Sequence, residues 1–183
     1  MTTHIDPNLP GVDNSTPDAF VSSSVGAGGP RTPTPCPLGA GTPWLAIGEA
    51  TATRPVTVKS DAALSIVCSV RPVGDGFDVN LYATRQGPQG VSLTITSVTG
   101  AGAVTAAGGS SITASFSSDT GGSYSQSDCT LSYTYEGQPL SVSPAIAAGR
   151  VWGHLSCPAA ARSGDSSLCD GEADVLFEQC AQR

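Results

Sequence analysis

Six cysteines, Cys36, Cys68, Cys129, Cys157, Cys169 and Cys180, punctuate a chain whose apolar residues recur at every second position. A period of two is the pattern of a strand with one buried face; a helix repeats near 3.6. An even set of spaced cysteines in such a chain reads as a disulfide framework, and disulfides persist in oxidising compartments. The chain holds a single lysine, Lys59. Together these features predict a disulfide-stapled β protein placed outside the cytosol, extracellular, periplasmic or at the cell surface. No CxxC pair occurs, which argues against a zinc ribbon or a thioredoxin-type redox site.

The length of 183 residues predicts one domain, with room for an arm. Charged residues are only 13% of the chain and aromatics 5%. Gly, Ser, Thr, Ala and Val take their place, a mix that favours short strands and turns. The net charge of −7 repels phosphate backbones and anionic headgroups, so nucleic acid is not an expected partner. There is no apolar run long enough for a transmembrane segment. Met1 leads directly into polar "TTHIDPNLP", so a native leader is expected to have been removed ahead of this chain. No cofactor is expected.

Residues 1–43 read as a Pro/Gly/Ser/Thr-rich arm or tether, extended or disordered. Cys36 would bolt that arm to the body. From Trp44 onward strand signals are regular: "WLAIGEATAT", "VTVK", "LSIVCSV", "FDVNLYAT", "VSLTIT", "SITASFS", "CTLSYTY", "GRVWGHLSC" and "EADVLFEQC". Gly74-Asp75-Gly76 is a hairpin signal. About eight to ten strands, with turns every 8 to 15 residues, predict an all-β fold. The expected fold is an antiparallel β-sandwich over 44–183 with an extended N-terminal arm.

One register is legible. If 129–135 and 149–157 pair antiparallel, Cys129 faces Cys157 and Leu131 faces Leu155. Tyr133 then covers Gly153, and Tyr135 faces Val151. A shift of one residue breaks every match. Directly opposed cysteines have close to the Cβ separation a disulfide needs. Cys129–Cys157 is therefore expected, and the remaining four cysteines allow three pairings that the residues alone do not separate.

At "LSIVCSVRPVGDGFDVNL" the chain resembles the mycobacterial 19-kDa lipoprotein antigen family. There a polar tether follows a lipidated cysteine, and a "VVC"-type strand leads through a Gly-containing turn into a second strand. The last strand of that family ends in a cysteine bonded to the first. "SIVC" ending at Cys68 and "VLFEQC" ending at Cys180 match those sites. The resemblance thus implies Cys68–Cys180, which leaves Cys36–Cys169. This chain departs in having four further cysteines, a long acidic loop near its end and no lipobox. The layout "GRVWGHLSCP…C…F-x-x-C" is similar to uncharacterised secreted or lipid-anchored proteins of high-G+C bacteria such as myxobacteria. Neither resemblance implies an enzyme.

The search for chemistry finds little. Of the two histidines, His4 lies in the arm and His154 on a strand beside Trp152. G-x-S-x-G does not occur. The acidic loop offers Asp165, Asp170, Glu172 and Asp174 as a weak calcium set, with spacing unlike an EF-hand. Asp75 with Asp78, or Glu172 with Asp174, are the carboxylate pairs available for glycosidase-type chemistry. Trp152, His154 and Tyr82 form the expected ligand platform, outward-facing. Asn14 heads a sequon that matters only in a eukaryotic secretory pathway. The expected role is a non-enzymatic structural or binding protein of the cell envelope. The alternatives are a subunit of an extracellular assembly that exchanges its arm with another copy, and a carbohydrate-binding module. The expected partner is a protein or a surface.

Overall fold

A computed structural model describes residues 16–28, 35–51, 54–97, 104–105, 107–135, 143–165 and 167–182. His4 and Asn14 lie outside the described residues.

The strands are β1 (Asp18–Gly26), β2 (Thr42–Ile47), β3 (Val58–Lys59), β4 (Leu64–Val73), β5 (Gly76–Arg85) and β6 (Val91–Ser97). They continue with β7 (Gly109–Ser118), β8 (Gly122–Ser132), β9 (Ala145–Ala147), β10 (Arg150–Arg162) and β11 (Leu168–Glu178). All pair antiparallel in one sheet of order β2-β1-β11-β10-β8-β7-β6-β5-β4, with β3 on β1 and β9 on β10. The expected all-β, disulfide-stapled architecture is present. The expected two-sheet sandwich is not: one continuous sheet curls into a half-barrel. The curl carries Trp44 of β2 across to Tyr124 of β8, with ring centroids 5.7 Å apart and edge-on.

Period-two patterning builds the concave face. Leu64, Ile66, Cys68 and Val70 point inward from β4, and Val79, Leu81 and Ala83 from β5. Ile112, Ala114 and Phe116 do so from β7, and Ala173, Val175 and Phe177 from β11. The β4–β5 hairpin turns at Gly74, whose φ of 58° is costly for a side chain with a Cβ.

The arm departs from expectation. Its residues 18–26 are β1, an interior strand paired with β11 on one side and with β2 and β3 on the other. Ala19, Val21 and Val25 are buried, and the inward position between them is filled by Ser23. The Ser23 hydroxyl accepts from the Leu45 N–H at 2.9 Å and donates to the Leu45 carbonyl at 3.1 Å. It thereby fills the ladder where the β1–β2 register shifts. Serine-rich composition hid a strand whose burial a hydroxyl makes possible.

Three disulfides fasten the sheet: Cys36–Cys169, Cys68–Cys180 and Cys129–Cys157. The third bridges β8 and β10 in the register read from the sequence, with Leu131 opposite Leu155. The second lies at the seam of the half-barrel. There the Val70 N–H donates to the Ala181 carbonyl, and the Ala181 N–H to the Cys68 carbonyl, at 2.9 and 3.0 Å. The outer edge of β4 is thus covered by the tail that follows β11, which limits edge-to-edge pairing. The first ties the segment after β1 to the start of β11.

Candidate functional site

The convex face of β1, β11 and β10 carries the expected platform residue Trp152, but buried. Cross-strand register sets Phe20, Leu176 and Trp152 in a row over those three strands. Trp152 and Leu176 are 0% exposed and Phe20 2%. Tyr135 covers them, with ring centroids 6.5 Å from Phe20 and 5.5 Å from Trp152. Its hydroxyl donates to the Thr51 carbonyl at 3.0 Å. Arg150 stands 5.7 Å from the Trp152 ring centroid. Glu178 holds Arg54 beside this cluster, and its other oxygen lies 3.1 Å from Arg150 Nε. Trp152 is therefore a packing residue of a satellite core. The strand expected to reach Tyr135 stops at Ser132, and β9 takes the place opposite Val151. Released from the ladder, Tyr135 folds onto the convex face instead of facing Val151.

His154 lies two residues from Trp152 on the same face of β10, half-buried. Its Nδ1 is 2.9 Å from Asp174 Oδ1, and the register places Ser22, Asp174 and His154 side by side on β1, β11 and β10. A groove of about 310 Å³ runs over them, lined by Ser22, Ser24, Pro43, His154, Glu172 and Asp174. A carboxylate next to an imidazole is half of a nucleophile-activating set. Ser132, directly opposite His154 on β8, shares its hydroxyl with Thr134 at 3.0 Å.

The weak calcium set is divided. Asp170, Glu172 and Asp174 occupy alternate positions of β11, whereas Asp165 sits in the turn after β10. The Asp165 carboxylate accepts from the Ser167 hydroxyl, from the Ser167 N–H at 2.8 Å and from Arg162 Nη1 at 2.8 Å. These bonds, the Ser167 hydroxyl foremost, hold its pKa below the usual carboxylate value. Among the described residues no group of three His, Cys, Asp or Glu side chains is placed to hold a metal ion. Asp75 lies in the turn after Gly74, and Asp78 pairs with Arg71 at 3.0 Å, so these two carboxylates are not a free couple.

Tyr82 is on β5, separated from β10 in the sheet by β6, β7 and β8. The structure does not bring it near Trp152 or His154. It belongs to another surface. On the convex face of β5 it follows Asp78 and Asn80, and the register places Ser69 and Thr96 on either side of Asn80. A second groove, of about 350 Å³, is lined there by Ser69, Arg71, Asp78, Asn80, Thr96 and Ser97.

Comparison with protein families, with curated proteins and with solved structures finds no match.

Proposed function

We propose that this chain is a non-enzymatic structural or binding protein of an extracytoplasmic compartment, secreted or held at the cell envelope. The observation that carries the reading is the disulfide set: all six cysteines are paired, and each bridge ties a separate part of one sheet. Such a framework has its use where glutathione and thioredoxin do not reduce it. The half-barrel supports the binding role, because it sets two polar grooves on a rigid convex surface. Arm exchange between copies is the weaker reading, since β1 is hydrogen-bonded on both edges within its own chain.

Thiol trapping in the native host tests the assignment. Cells treated with a membrane-permeant alkylating agent that blocks every free thiol, then lysed, reduced and treated with a second, distinguishable alkylating agent, should yield a chain with every cysteine labelled only in the second step. Recovery in the periplasmic, surface or secreted fraction should accompany it. A chain recovered from the cytosol with free thiols would overturn the proposal.

A further inference from the structure

The groove on β4, β5 and β6 is built of groups that suit an uncharged polyhydroxylated ligand. Convex-face residues there fall into cross-strand rows: Ser65, Thr84, Ser92 and Ser117; then Val67, Tyr82, Thr94 and Ser115; then Ser69, Asn80, Thr96 and Thr113. Neighbouring strands lie about 4.8 Å apart, so each row presents side chains at a regular spacing. In a protein of net charge −7, the charged groups lining this groove are one mutually neutralised pair, Arg71 and Asp78. A charged ligand gains nothing from such a surface, while a hydroxyl can both donate and accept.

Two further features point the same way. Asp78 Oδ1 and Arg71 Nε are buried without a hydrogen-bond partner. An unsatisfied acceptor beside an unsatisfied donor favours a ligand group able to serve both once the side chains adjust. Tyr82 stands two residues from Asn80 on the same face of β5, partly exposed. It does not line the groove itself; its ring comes next along the strand, an apolar surface with a polar tip for a ligand that extends beyond the groove. The satellite core removes Trp152 from consideration as a stacking surface, and the ligand chemistry once expected around it moves to the opposite end of the sheet.

We infer that the β4–β6 groove is a glycan-binding site for neutral oligosaccharides, with Asn80, Ser69 and Thr96 as hydrogen-bonding groups and Tyr82 as the flanking ring. The inference rests on the binding role proposed above and names its ligand class.

Native gels cast with soluble neutral polysaccharides, followed by an array of neutral and acidic glycans, provide the test. The full chain should be retarded by at least one neutral polysaccharide, with little change between low and moderate salt. Asn80→Ala and Tyr82→Ala should each weaken binding about tenfold, as loss of a central contact does. His154→Ala, on the other groove, should leave it unchanged. Each variant is carried forward only with an unaltered far-ultraviolet spectrum and melting point; for an exposed or half-exposed position both are expected. No retention on any neutral glycan, retention by acidic glycans alone, or loss in His154→Ala with retention in both other variants would each overturn the inference. None of those results touches the compartment of the protein, which thiol trapping decides separately.

Discussion

Tyr133 lies over Gly153. A Cβ built on Gly153 would come within 3.4 Å of Tyr133 Cδ1 and 2.6 Å of the Ser132 carbonyl oxygen. The ring fills the space a side chain would take, and the backbone of β8 closes the rest. The Tyr133 hydroxyl donates to the Thr105 carbonyl at 2.6 Å, which holds the ring in place. Gly153→Ala is therefore expected to destabilise the fold by about 1–3 kcal/mol, the range for overpacking. Thermal unfolding should show a drop of several degrees, and an unchanged midpoint would refute the contact.

The same tyrosine predicts an alkaline effect. Burial pushes the Tyr133 pKa from 10.0 up to about 12. A folded-state pKa above the unfolded value contributes stability that is complete below about pH 10 and lost as pH rises through about 12. Absorbance at the tyrosinate band should show late-titrating phenols, Tyr133 and also Tyr135, whose pKa burial raises too. In Tyr133→Phe the late amplitude should fall, and the fall in stability across this window should shrink.

Ser23→Ala is expected to cost about 1–3 kcal/mol, because the Leu45 N–H and carbonyl would both lose their hydroxyl partner inside the sheet. Denaturant titration measures it. An effect below half a kilocalorie would mean that water replaces the hydroxyl and that the β1–β2 junction is open.

Phe20→Ala should cost about 3 kcal/mol and loosen the satellite core. Trp152, buried beneath Tyr135, should then shift its fluorescence to longer wavelength. Deleting residues 1–26 should do far more, since β2 and β3 pair only with β1 among the described strands. The truncated chain is expected to bind a hydrophobic dye and to lose its cooperative transition. A stable, compact truncation product would show that the arm is a dispensable tether after all.

Cleavage of Cys129–Cys157 by the paired change to alanine should lower stability by roughly 3–4 kcal/mol on the chain-entropy account. Peptide mapping without reductant should recover all three bridges and no free thiol.

The amino-acid sequence by itself determined which face of most strands is apolar. It also determined the β8–β10 register through the matched set Cys129, Leu131 and Tyr133 against Cys157, Leu155 and Gly153. Alternation is a local property: the pleat sends successive side chains to opposite faces, so burial is written along each strand. β1 escaped that reading because Ser23 occupies a core position, and its suitability there depends on Leu45, a residue remote in sequence. Only the tertiary structure decided that the sheet curls as one body and that Tyr135, its hydroxyl bonded to the Thr51 carbonyl, folds over Trp152. A period of two says that a residue points outward; it does not say what lies over it. The convex-face residues therefore divided by their covering: Trp152 became core, while Asn80 remained exposed in a groove. That distinction belongs to strand order and loop path, which no local pattern encodes.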